Sequence, residues 1–210
     1  MGATDAIFYI AILVMSVVIH EISHGFMAEY FGDPTARFAG RLTLNPLKHL
    51  DPFGSVILPA FLVLSGSSIL FGWAKPVPYN PDNLTDKKWG TVAVASAGVL
   101  ANLLIAITFG IIMRFIPSFN LNATISEDLY FITTIIVVTN LALAVFNLIP
   151  IPPLDGSKIL FSLLPVSFSN AIIFIEQYAL VLLLIFIVFF SEFLFPIIAF
   201  LFYLITGLAF

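Results

Sequence analysis

Six stretches of the chain, near residues 5–30, 54–72, 90–114, 128–149, 171–190 and 193–210, are apolar for close to the length of a bilayer crossing. A helix needs ~20 such residues to span the hydrocarbon layer, where every backbone N–H and C=O must be bonded within the segment. None of these stretches alternates apolar and polar residues as a barrel strand does, so helices are the spanning form they allow. Of 210 residues, 60% are hydrophobic and 10% charged, against ~25% charged in an average soluble chain, so a soluble fold could not wet its surface. The expected fold class is all-α: a polytopic transmembrane helical bundle in the lipid bilayer. It forms a single membrane-embedded domain over 1–210, with a core over about 5–160 and a C-terminal helical hairpin over 171–210 that turns at Ser191-Glu192.

Two polar stretches, 32–52 and 73–90, interrupt the apolar pattern and read as loops rich in turn-forming residues. Trp73, Tyr79 and Trp89 suit a membrane–water boundary. Arg37, Arg41 and Lys48 lie in the first loop, Lys75, Lys87 and Lys88 in the second, and Lys158 after the fourth apolar stretch; Arg114 stands apart. If 54–72 dips into the membrane and returns, helped by Pro59 and Ser65-Gly66-Ser67-Ser68, these seven positive charges share one face, which the positive-inside rule makes cytoplasmic. That arrangement predicts five full spans, one re-entrant segment, an outside N-terminus and an inside C-terminus. No basic region precedes the apolar run at 6–19, so no cleavable signal peptide is expected. The net charge of −4 and the lack of a basic run give no reason to expect nucleic acid as a partner.

The chemistry concentrates in His20-Glu21-Ile22-Ser23-His24. Residues four apart on a helix lie on one face, so both imidazoles can reach one tetrahedral metal with Glu21 beside it as general base. A zinc ion in such a site lowers the pKa of water towards ~7. Three ionisable groups inside one apolar span are costly to keep and point to function. There is no cysteine, so any metal must take His and carboxylate ligands. Asp155, in Asn147-Leu148-Ile149-Pro150-Ile151-Pro152-Pro153-Leu154-Asp155-Gly156, is the best third ligand, because the prolines end the preceding helix and Gly156 permits a tight turn. By spacing alone, an interfacial Asp-Gly turn remains an equal alternative. His49 and Asp51 could gate the site or supply an accessory ligand, although local side-chain bonding in the loop is the plainer reading. Ala93, Ala97 and Ala101, four apart, suit close helix packing, and Asn102 and Asn140 suit interhelical hydrogen bonds.

HEISH on an apolar helix, followed far downstream by NLIPIPPLDG, resembles the site-2 protease family of intramembrane zinc metalloproteases. GRLTLNPLKHLDPFG at 40–54, FGWAKPVPYNP at 71–81 and ASAGVLANL at 95–103 resemble a compact bacterial and archaeal branch of it. The resemblance implies one zinc per chain held by His20, His24 and Asp155, Glu21 as catalytic base, and Asn147 hydrogen-bonding substrate or the developing oxyanion. It implies hydrolysis of peptide bonds in or near transmembrane segments of other membrane proteins, in a prokaryotic cell membrane. The active site would then lie about a third of the way in from the cytoplasmic face, judging from the seven residues between His24 and Phe31 at ~1.5 Å each. Val99 stands where the family commonly has proline, and no PDZ domain is expected within this length. From the residues alone, a membrane metal-ion transporter or a non-catalytic scaffold built on the same cluster stays open.

Overall fold

A computed structural model describes residues 3–57, 61, 64 and 74–209. Among these the regular structure is helical: α1 (Ala3–Tyr30), the short α2 (Thr35–Phe38), α3 (Lys87–Phe115), α4 (Ala123–Asn147), α5 (Asp155–Leu163), α6 (Ser169–Gln177), α7 (Ala179–Phe190) and α8 (Leu194–Thr206). Most of the expected re-entrant stretch, with Pro59, Ser65-Gly66-Ser67-Ser68 and Trp73, lies outside the described residues.

Local chemistry sets the ends of the long helices. The Asp86 carboxylate accepts from Trp89 N–H at 2.8 Å and caps α3, and the Asn122 side chain accepts from Ile125 N–H at 2.9 Å and caps α4. Gly32 at φ +99° turns the chain out of α1, and Gly207 at φ +75° ends α8 in the left-handed conformation that glycine adopts without penalty.

α1, α3 and α4 pack on one another, α5 docks on α3, and α8 packs against both α4 and α3. One apolar cluster joins Ala106, Met113 and Ile116 to Val137, Leu141 and Phe202. A smaller one, at the other end of the bundle, joins Ala28, Leu84 and Val94. Between the two lies a band of buried polar side chains.

The C-terminal region corrects the sequence reading. Ser191–Phe193 forms a single tight helical turn, and Ala179–Thr206 runs on as one 28-residue candidate span. The Phe186 ring lies 6.5 Å from Phe146, beside the Asn147 end of α4. At the far end Arg114 donates to Leu204 O at 2.7 Å. The two pieces thus run in one direction from the Asn147 end of the bundle to the Arg114 end, as one candidate span and not as a hairpin. With 12 and 13 residues, α7 and α8 reach only ~18 and ~20 Å, so neither can span alone. Four candidate spans stand among the described residues instead of five: Ile7–Tyr30, Lys87–Phe119, Ala123–Asn147 and Ala179–Thr206. Residues 3 and 207 therefore lie at the same end of the bundle, against the expectation of ends on opposite sides.

The connecting segments gather at the other end. Asp33, fully buried, accepts from Thr35 N and Oγ1, from Asn80 N at 2.6 Å and from Asn83 Nδ2 at 2.8 Å. Lys75 N donates to His49 O at 2.8 Å, so the flanks of the 54–72 stretch meet. Arg41 donates to Lys75 O at 2.7 Å. The extended segment 74–80 is thus held near both ends, and Pro76 and Pro78 stiffen it.

Candidate metal centre

The second half of α1 carries His20, Glu21 and His24, and their surroundings come from three other places in the chain. His24 Nδ1 lies 2.7 Å from the Val94 carbonyl oxygen on α3, and His20 Nδ1 lies 2.6 Å from Asn102 Oδ1, two turns further along α3. Between them Gly98 presents bare backbone, where a Cβ would come within 2.6 Å of the His20 ring. Val94, Gly98 and Asn102, four apart, form the stripe that meets the histidines, one position on from the alanines singled out in the sequence. Helix α5 begins at Asp155, and Gly156 is needed there because a Cβ would fall 2.2 Å from Leu148 O. The requirement is close approach of two backbones where the chain turns into α5.

Three donor atoms converge. Asp155 Oδ2 lies 3.0 Å from His20 Nε2 and 3.1 Å from His24 Nε2, and all three residues are buried. One ligand atom from each lies within 4.8 Å of the others. A carbonyl oxygen can only accept, so Val94 fixes the proton of His24 on Nδ1; the Asn102 oxygen does the same for His20. Both Nε2 atoms then turn towards an anionic oxygen, and the space between them calls for positive charge. Protons on the rings can supply it, or a metal cation can. An N, N, O set with satisfied outer nitrogens is the donor chemistry of a catalytic zinc site, which keeps a further position open. The residues fit the ion.

A cavity of about 120 Å³ opens beside the cluster, lined by Glu21, Val77, Tyr79, Asn147 and Lys158 among others. Glu21 accepts from Val77 N–H at 2.8 Å, so the stiff segment 74–80 orients its carboxylate. Asn147 donates back to Leu143 O at 2.9 Å. Lys158 Nζ lies 3.1 Å from Asp155 Oδ1, the oxygen turned away from the histidines. Burial by itself would raise the Asp155 carboxyl. The hydrogen bonds of His20 and His24 and the Lys158 charge outweigh it and hold the group well below the usual carboxylate range. Burial opposes the charge on Lys158, but the Asp155 carboxylate beside it lifts the ammonium above the ordinary lysine value. Burial pushes the Tyr79 phenol up.

Of the residues singled out in the sequence, the fold brings His20, Glu21, His24, Asp155 and Asn147 to this one cavity. His49 and Asp51 do not line it. His49 is buried, bonds Thr43 O through Nε2 at 2.9 Å and has no partner for Nδ1 among the described residues; Asp51 caps the wide turn Pro52–Ile57 through Phe53 N and Gly54 N. Tyr79, which suits a membrane–water boundary by sequence, also lines the cavity. Lys158 was not singled out for the site, although its position one turn after Asp155 was the available signal. Gly98 and Asn102 were signalled by a small and a polar residue on one face of an apolar helix.

The model of peptidase family M50 matches residues 8–129 and 116–191. "Putative zinc metalloprotease YwhC" of Bacillus subtilis is 36% identical over 175 residues, covering 82% of this chain and 76% of that protein. "Putative zinc metalloprotease Rip2" of Mycolicibacterium smegmatis is 32% identical over 151 residues, and its namesake in Mycobacterium tuberculosis 32% over 175. The matched regions take in 54% and 63% of those two longer proteins. No solved structure matches the chain. With a family model covering most of its length and a buried His–His–Asp cluster on apolar helices, the chain belongs to peptidase family M50, the site-2 protease family of zinc metalloproteases.

Proposed function

We propose that the chain cleaves peptide bonds in or near transmembrane segments of other membrane proteins, using one zinc ion held by His20, His24 and Asp155. The observation that carries this reading is the convergence of His20 Nε2, His24 Nε2 and Asp155 Oδ2 beside the Glu21 carboxylate, within the apolar bundle. When bound, zinc supplies Lewis acidity, polarising the carbonyl under attack and acidifying water. Glu21 takes the proton of the attacking water and returns it to the departing amine, so peptide and water become acid and amine with no other reactant. The Val77 N–H holds one Glu21 oxygen and leaves the other for this transfer. Asn147 lines the same cavity with a second amide N–H to offer the developing oxyanion. Lys158 adds a positive charge at the cavity wall, where negative charge develops.

The substrate class follows from where the site lies. A soluble chain would not reach a cavity between α1, the 74–80 segment, the end of α4 and the start of α5, whereas a membrane segment unwound locally can present an extended peptide there. The meeting of Lys75 N with His49 O supports a 54–72 stretch that enters and leaves at one face. Arg37, Arg41, Lys48, Lys75, Lys87, Lys88 and Lys158 belong to the end of the bundle nearer the site, which supports placing that end in the cytoplasm.

The test uses the full chain in detergent, with zinc quantified and a membrane-anchored reporter offered as substrate. Glu21→Gln is expected to retain one zinc and lose ~10²- to 10⁴-fold in cleavage rate. A wild-type protein that holds no zinc, or a Glu21→Gln protein that cleaves at the wild-type rate, would sink the reading.

A further inference from the structure

We propose that Asn102, Asn140 and Ser16 form a positioning relay that fixes the orientation of His20 as a metal ligand. The inference rests on the reading of the His–His–Asp cluster as a metal centre.

Asn102 on α3 and Asn140 on α4 are wholly buried, and Ser16 on α1 nearly so. Asn102 Oδ1 lies 2.6 Å from His20 Nδ1. Its Nδ2 donates to Asn140 Oδ1 at 2.8 Å and to Ser16 O at 3.4 Å. Asn140 Nδ2 in turn donates to Ser16 Oγ at 3.0 Å and Ile136 O at 2.8 Å. An amide side chain in an apolar bundle is costly unless bonded, and apolar side chains would pack these three helices without that cost. The polar chain runs from a backbone carbonyl to the ring of a cluster residue, which mere helix adhesion does not require.

The bonds have a direction. An amide end accepts through oxygen and donates through nitrogen, and a backbone carbonyl can only accept. Ile136 O therefore turns the nitrogen of Asn140 towards itself, which leaves the Asn140 oxygen facing Asn102. That oxygen, with Ser16 O, turns the nitrogen of Asn102 towards α4 and α1 and its oxygen towards His20. His20 must then carry a proton on Nδ1, which makes Nε2 the nitrogen available to a cation on the side where His24 and Asp155 converge. His24 obtains the same orientation from the Val94 carbonyl directly. His20 obtains it at one remove, through two amides whose orientation is decided on α1 and α4. Asn140 thereby acts on the metal site without touching a cluster residue.

The relay makes a specific prediction about rescue. With Asn140→Leu, the Asn102 amide keeps only its longer bond to Ser16 O and can turn its nitrogen towards His20. With Asn102→Asp, both side-chain oxygens accept, so nothing is left to orient. Zinc affinity of the purified full chain in detergent, measured by competition with a chromophoric chelator, is expected to fall ~10-fold in Asn140→Leu and by up to ~100-fold in Asn102→Leu. In the Asn102→Asp background, adding Asn140→Leu is expected to change zinc affinity less than ~twofold. Ser16→Ala, which removes one anchor of Asn140, is a milder variant with an expected loss of a few-fold, and it keeps the test open if Asn140→Leu does not fold.

A folded Asn140→Leu protein with wild-type zinc affinity overturns the relay while leaving the metal centre intact. So does an equal loss from Asn140→Leu in both backgrounds, which would mark Asn140 as a packing residue. If Asn140→Leu does not fold, wild-type affinity in Ser16→Ala overturns it. A wild-type chain that binds no zinc overturns the metal centre itself, and the relay with it.

Discussion

Gly98 lies directly against the His20 imidazole, with room for a backbone and nothing more: a Cβ there would come within 2.6 Å of the ring. The ring is held by Asn102 on one side and the cluster on the other, so it cannot swing away as the end of a flexible side chain would. Gly98→Ala is expected to push His20 off its position, at an overpacking cost of ~1–3 kcal/mol, and to reduce bound zinc. Zinc content and thermal melting of the detergent-solubilised variant would check this; an alanine variant with full zinc and unchanged melting would refute the close contact.

Lys158 and Asp155 make a second contact that can be tested. Because Lys158 engages Oδ1, Oδ2 is the oxygen left for the histidine side. Lys158→Met is expected to lower zinc affinity ~10-fold, as loss of a bond to a ligating carboxylate commonly does. Lys158→Arg, which keeps a cation in place, should lose less.

Asp33 ties the loops over the cavity, and its titration has a definite sign. Burial would raise this carboxyl, but hydrogen bonds from Thr35, Asn83 and Asn80 outweigh it and hold the folded-state value below the ordinary range. The resulting stabilisation is fully present above the unfolded value of ~3.9 and is lost as pH falls through the lower folded value. Asp33→Asn should therefore destabilise the protein at neutral pH, by ~1–3 kcal/mol from its buried hydrogen bonds, and flatten the acid limb of the stability curve. Melting temperatures between neutral and strongly acidic pH would check it; identical acid limbs in the two proteins would refute it.

Topology can be read by labelling, since the chain contains no cysteine. With Ala179–Thr206 as one crossing, single cysteines replacing Asn122 and Leu208 should label from one side of the membrane, and one replacing Asp82 from the other. A C-terminal hairpin would instead pair Leu208 with Asp82.

Much of this molecule was legible before folding. Long apolar runs dictate helices in lipid, because no other backbone form bonds all its own groups there without closing a barrel. Imidazoles four residues apart on such a helix must share a face, so the pairing of His20 and His24 is local geometry. The region after Tyr178 was misread because Ser191-Glu192 offers the polarity of a turn. Whether a polar pair reverses a helix or merely kinks it depends on what the flanking pieces pack against, here Phe146 below and Arg114 above.

Sequence alone determined the class of fold, the pairing of the two imidazoles and the place of Glu21 beside them, since each follows from composition or from spacing along one helix; Asp155 was a candidate from its surrounding prolines and glycine and from the family resemblance. Tertiary structure decided that Asp155 meets those imidazoles, that Val94 and Asn102 set their outer nitrogens and that Lys158 takes the second carboxylate oxygen. The contacts of the two imidazoles with Val94, Asn102 and Asp155 join residues from 70 to 135 positions apart, and such distances are closed by helix packing, for which no local pattern of residues carries the code.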